Sequence, residues 1–399
     1  MSAKVILVWF RNDLRTHDNE VLLNAIQKSD FIIPVYIFDP RYYAKNQYNF
    51  LNTGAIRQEF ILNSVFSLKQ KLQSLGGDLL TYEGYPEEII PHLAQKYDVD
   101  EVYHHREVAK RETSISEAVE EALWNIKINL KHFIGHTLYH KEDLPFPIRD
   151  IPNDFNTFKK KISKESSVRA SFPEITTIRI PPHLEKTNLP NGFISHDNLT
   201  GEEIAFSTLE AIISNAKSET DLYCYISKFI SIGSLSPVYT YHLLNRYINK
   251  TNKKAINSLL DNLLIRDYFR FMLKKYPNSV FINHSKSYSI DNVLIEKWIT
   301  GKTDNEVVNN IMYRLNNSGV LNEQEQTYTA TYFIYELKQN WLIGAAYFEQ
   351  QLIDYAPATI YGQWSHYADQ GTNIKNNKTE EDWYKLKEQN LAIAELICN

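Results

Sequence analysis

The chain is 399 residues long, 43 % apolar and 23 % charged, which excludes wholesale disorder and a collagen-like fibre. A formal net charge of −5 argues against strong nonspecific nucleic-acid binding, which depends on neutralising phosphates, but leaves room for a local basic groove. Two cysteines, Cys224 and Cys398, exclude a disulfide framework and a cysteine-based zinc site.

Val5 to Phe10 is a short apolar run, predicted as a buried strand. With Arg11 directly after it, the run is too short for a signal peptide. No later apolar run reaches the roughly 18 residues of a membrane span, so a cytoplasmic protein without membrane association is expected. Asp18 and Asn19 offer helix-capping chemistry before VLLNAI. Ile32 to Phe38 is a second buried run, interrupted by Pro34 and closed by Asp39-Pro40. Phe60, Ile61, Val65, Leu68, Leu72 and Leu75 keep helical spacing, and Gly76-Gly77 stops the helix. Leu79–Tyr82, Glu101–Tyr103 and Asn129–Ile134 are further predicted strands. Strand–helix alternation over the first third predicts an α/β doubly wound parallel-sheet domain over residues 1–135. Such sheets bind ligands beyond the carboxyl ends of their strands.

Residues 136–200 carry DLPFPIRDIP, FKKKISKES and IPPHLEKTNLP. Repeated prolines predict a long surface connector. From Gly201 the periodicity is helical almost throughout, which predicts an all-α domain over 201–399.

Several motifs in order resemble the photolyase/cryptochrome family. VWFRNDLRTHDNEVLLNA (Val8–Ala25) is similar to its opening, and IPVYIFDPR (Ile33–Arg41) fits. GHTLYHKEDLPF…IPNDFNTFKKKI (Gly135–Ile162) is similar to the cryptochrome-DASH branch. GEEIAF, IGSLSP (Ile232–Pro237), IRDYFRF (Ile265–Phe271), KWITGKT (Lys297–Thr303) and AAYFEQQLIDYAPATIYGQWSHYA (Ala345–Ala368) follow in family order. The resemblance implies an N-terminal α/β antenna domain and a helical domain cradling FAD, with light-driven repair of pyrimidine dimers as the family activity.

The resemblance also assigns positions, and many carry unexpected residues. The flavin-phosphate segment reads Tyr223-Cys224-Tyr225-Ile226-Ser227, with Tyr223 and Cys224 where small hydroxyls belong. Glu323-Gln324-Glu325-Gln326 replaces an Asn-Arg-x-Arg run, and a carboxylate at Glu323 repels a pyrophosphate. In the ring-contact run Asp354 is kept, but Ala356 replaces an Asp and Ile360 an Asn; isoleucine forms no side-chain hydrogen bond. At lesion-recognition positions stand Asn262, Ile265 and His366, so the polar and aromatic partners of a flipped base are reduced.

Trp341 and Trp364 match two electron-relay tryptophans, with the third near Tyr288. They read either as a remnant redox chain or as large core residues. Glu107, in HHREVAKRE, matches a carboxylate directed at a folate antenna. A carboxylate suits an aminopyrimidinone edge, and Trp9 and Phe38 on neighbouring strand ends complete a pterin or folate site. The other reading makes Glu107 an ordinary helix-start residue. His136 and His140 stand four apart ahead of an extended stretch, so no metal site is expected. FKKKISK is read as a solvated face.

The resulting expectation is a cryptochrome-DASH-like protein without FAD and without light-driven repair. It would act as a regulatory, scaffold or pterin-binding protein, with weak or absent DNA binding and an unspecified protein partner. The alternative is a divergent FAD-dependent cryptochrome-DASH, either a blue-light receptor or a single-stranded DNA photolyase.

Overall fold

The computed structural model describes residues 3–190, 200–215, 222–284, 290–372 and 377–397. Five parallel strands, β1 (Val5–Phe10), β2 (Phe31–Phe38), β3 (Leu80–Glu83), β4 (Glu101–His105) and β5 (Asn129–Phe133), form one sheet in the order β3-β2-β1-β4-β5. The order reverses at β1, as a doubly wound sheet requires. Every residue of β1 is buried, as a strand covered on both faces must be. Pro34 sits inside β2 opposite Val8, one residue before the β2–β3 ladder begins, where the strand has a neighbour on one side only.

The helices of this half are α1 (Glu20–Lys28), α2 (Ala55–Ser74), α3 (Pro86–Lys96) and α4 (Lys110–Trp124). Asn19 caps α1 by accepting from Leu22 N at 3.0 Å. α2 ends where Gly76 takes φ +89°, and Gly77 N donates back to Leu72 O at 2.9 Å. Through the predicted connector the chain forms α5 (Phe155–Glu165), which carries FKKKISK. Phe158 and Ile162 pack its inner face on the core, while Lys159 pairs with Asp261 at 2.6 Å.

The second half is helical: α6 (Glu202–Asn215), α7 (Tyr223–Ile232), α8 (Pro237–Arg246), α9 (Lys253–Lys275), α10 (Asn292–Ile299) and α11 (Glu306–Ser318). It continues with α12 (Glu323–Thr331), α13 (Trp341–Gln351), α14 (Pro357–Tyr367) and α15 (Glu380–Ile397). No helix of the described residues is long and apolar enough to cross a membrane.

The loop after β1 ties the halves together. Leu14 N donates to Ile232 O at 3.2 Å, and Arg15 Nη1 to Gly233 O at 3.1 Å. Gly233 takes φ +78°, and a Cβ there would lie 2.0 Å from Asn12 O. Only glycine allows that approach. A second clasp holds α6 and α8. Thr16 Oγ1 and His17 N each donate to Glu202 at 2.9 Å, and Ser236 N donates to His17 Nε2 at 3.1 Å.

Candidate functional site

α7, α9, α14 and the start of α12 line a polar cleft. α7 presents Tyr223, Cys224, Ser227 and Ser231, spaced so that one helix face meets the cleft. α9 presents Asn262, Ile265 and Arg266, again one face. The start of α12 adds Glu323 and Gln326. Asp354 and Ala356 precede α14, which contributes Thr359, Ile360 and Gln363. All eight positions predicted from the flavin resemblance therefore meet in one place, together with Asn262 and Ile265. The sequence reading missed Ser231, Arg266, Thr359 and Gln363; helical spacing from Ser227 to Ser231 and from Ile360 to Gln363 was the available signal.

Arg266 is 4 % exposed. Its Nη1 donates to His136 O and its Nη2 reaches Ile230 O at 3.5 Å. Its Nε and the Thr359 Oγ1 are buried with no hydrogen-bond partner among the described residues. Leaving such groups unsatisfied costs about 1–3 kcal/mol each, and a ligand with anionic and acceptor oxygens satisfies both. Around them stand amides at Asn262, Gln326 and Gln363, with the Glu323 and Asp354 carboxylates also lining the cleft, while the Ser227 and Ser231 hydroxyls donate within α7 to Cys224 O at 3.2 Å and Lys228 O at 2.9 Å. This donor set fits a flavin dinucleotide, whose pyrophosphate is anionic and whose rings carry acceptor edges.

Three further residues of these segments stand elsewhere. His366 packs its ring against Phe269, centroids 5.6 Å apart, in a separate small cavity. Tyr225 is 58 % exposed. Tyr361 turns to the opposite side of α14 and donates to Glu349 Oε2 at 2.8 Å, while Arg111 Nη1 donates to Glu349 Oε1 at 2.9 Å. Glu325 serves the start of α12, where its carboxylate and Asn322 form a reciprocal cap.

Trp364 follows Ile360 by one helical turn and is buried behind the cleft. Its ring neighbours are Phe348 at 5.0 Å, Phe333 at 6.1 Å and Trp298 at 6.4 Å. Trp341 is fully buried, and its indole N–H donates to Gln370 Oε1 at 3.2 Å. Tyr288 lies outside the described residues.

A second crevice of about 900 Å³ opens beyond the carboxyl ends of β1 and β2. Trp9 and Phe38 both line it, with Tyr36, Tyr42 and Arg57. Arg57 Nε and Nη1 have no partner among the described residues, while Nη2 donates to Thr53 Oγ1 at 2.7 Å. Glu107 does not reach this crevice. It is 7 % exposed and committed to a knot between the halves. Arg270 Nη2 lies 3.1 Å from one carboxylate oxygen; Asn12 Nδ2 donates to the other at 3.1 Å, and His136 Nε2 lies 3.3 Å from it. Burial alone would raise its pKa, but the Arg270 and Arg11 guanidiniums and Asn12 hold it down at about 2. His136 is thereby separated in role from His140, whose Nδ1 accepts from Glu142 N at 3.3 Å.

Comparison with known proteins follows this geometry. A family model described as DNA photolyase matches residues 6–177, and one described as the FAD binding domain of DNA photolyase matches residues 259–384. The cryptochrome DASH of Synechocystis sp. is 32 % identical over 401 residues, covering 93 % of this chain and 82 % of that one. The cryptochrome DASH of Xenopus laevis is also 32 % identical, covering 94 % of this chain and 78 % of that one. The crystal structure of the Synechocystis cryptochrome superposes with a TM-score of 0.86, covering 93 % of this chain and 83 % of that chain.

These matches correct the expectation of a protein without FAD. The FAD-binding match runs through α9, α12 and α14, the segments that carry most of the substitutions. Residues such as Ala356 and Ile360 remove individual side-chain contacts. They leave the converging helices, the open Arg266 N–H, the Thr359 hydroxyl and the amide donors in place.

Proposed function

The chain belongs to the photolyase/cryptochrome family, in its cryptochrome-DASH branch, and from that premise we propose that it is an FAD-dependent blue-light receptor. The observation that carries the reading is the polar cleft within the FAD-binding match, where a buried Arg266 N–H and a Thr359 hydroxyl stand open. Arg266 would meet the anionic part of the cofactor, and Thr359 would donate its hydroxyl to it. Asn262, Gln326 and Gln363 would supply amides to its ring edges. FAD held there would supply blue-light absorption and one-electron chemistry. Trp364, screened from water behind the cleft, is the nearest tryptophan along α14 to the lining residue Ile360.

Receptor is favoured over repair enzyme by the cleft wall itself. Ile265 and Asn262 stand there, so α9 offers no aromatic face for a flipped base, and His366 is turned away. Nothing in this choice requires the protein to hold DNA tightly.

The test is the absorption spectrum of the purified protein, before and after blue light with an external reductant. Bound flavin whose visible band bleaches in light is expected. Absence of flavin, even after incubation with excess FAD, refutes the reading. Light-dependent repair of dimer-containing single-stranded DNA would favour the photolyase alternative.

A second ligand, of pterin or folate type, is proposed for the crevice at Trp9 and Phe38. Arg57 favours it, because two buried N–H groups there have no protein acceptor.

A further inference from the structure

Cys224 is one of only two cysteines in the chain and forms no disulfide. It stands in the first turn of α7, half-buried, on the wall of the polar cleft. A helix start stabilises the thiolate, the form that reacts. The Glu323 carboxylate on the α12 wall acts in the opposite direction. The same cleft holds Arg266, 96 % buried by its exposure of 4 %, with an Nε–H that has no protein acceptor. That open N–H is an anion handle pointing to a ligand, independent of the cysteine. The Cys224 thiol and an anion handle thus share one cleft.

We propose that Cys224 is a redox modification site, at which a small anionic disulfide of the glutathione type exchanges with the thiol and excludes flavin from the cleft. The proposal rests on the flavin reading above. In the exchange, the Cys224 thiolate attacks one sulfur of the disulfide. A new S–S bond forms, the old one breaks, and the released glutathione thiolate takes up the proton that Cys224 lost. No further oxidant is needed, and a dithiol reverses the step. The attached tripeptide carries two carboxylates, and Arg266 offers one of them its open N–H. Cys224 and Arg266 belong to the same wall that would hold the cofactor, so the mixed disulfide and the cofactor compete for the same lining.

The experiment uses the full chain with Cys398→Ser, so that Cys224 is the only thiol. Treatment of the flavin-free protein with glutathione disulfide should add one glutathionyl group by intact mass and abolish flavin uptake. Dithiothreitol should restore both. With flavin present at ten times its Kd, only about one molecule in ten is open, so modification should slow about tenfold. The flavin affinity of Cys224→Ser, whatever its value, should not change on treatment. Full modification with unchanged flavin uptake overturns the proposal while leaving the flavin reading intact, as does failure of Cys224 to modify. Absence of flavin uptake by the untreated, reduced protein overturns both.

Discussion

Asp13 offers the sharpest test of the buried electrostatics. It is fully buried beside the tie between the halves, and its Oδ1 accepts from Arg11 N at 2.8 Å. Its Oδ2 has no hydrogen-bond partner among the described residues. Burial raises its pKa from 3.8 to about 6, against the pull of the Arg11 backbone N–H and of Arg15. A carboxyl whose folded pKa lies above its unfolded value binds more protons when folded. Its contribution to stability is therefore present at low pH and lost as pH rises from about 4 to about 6. Two pKa units correspond to roughly 3 kcal/mol. Asp13→Asn keeps an oxygen for Arg11 N and replaces the lone Oδ2 with an uncharged amide. The variant should match the wild type near pH 4 and exceed it by roughly 3 kcal/mol above about pH 6.5. Urea unfolding followed by tryptophan fluorescence, across pH 4 to 8, measures the difference. A gap that is flat with pH, or that shrinks as pH rises, would refute the reasoning.

Glu107→Gln should destabilise by about 3–5 kcal/mol, because it strands the buried Arg270 cation. Its urea midpoint should fall, and the pair Glu107→Gln with Arg270→Met should recover much of the loss. Gly233→Ala should lower stability by at least about 1–3 kcal/mol from the left-handed backbone alone, before its clash with Asn12 O is counted. Loss of soluble yield or a lowered thermal midpoint reads this out, and a wild-type midpoint would contradict it. Arg57→Met should weaken a reduced folate in the Trp9 crevice by about 1.5–3 kcal/mol, read by calorimetry. Equal affinity would place that ligand elsewhere.

The sheet was legible because buried parallel strands are short apolar runs, and β1 and β2 stand out as such. The helix hidden in the connector was less so. Pro147 and Pro152 crowd the approach to α5, and its lysines mask an inner face of only Phe158 and Ile162. The cleft positions were legible through the family resemblance, and helical spacing carries those on α7, α9 and α14 onto one face each. What those residues do there was not. Arg266 looks ordinary in the sequence, and its open N–H exists only because two backbone carbonyls from distant segments occupy its other nitrogens. Glu107 misled for the same reason. Its partner Arg270 lies 163 residues away, so nothing local announces that the carboxylate is already taken. His366 turned aside because Phe269 packs against its ring.

The tie made by the loop after β1 has a temporal side. Leu14, Arg15 and Asn12 give α7 and its Gly233 turn their backbone partners and their limit of approach. They leave the ribosome ahead of α7, which emerges some two hundred residues later. The dock is in place before the helix that needs it. Domains fold as units during synthesis, the N-terminal one first, so the wall bearing Ser227 and Ser231 is laid against a finished template. A circular permutant that delivered the helical half first would have to shape that wall without its dock, and should fold more slowly for that reason alone.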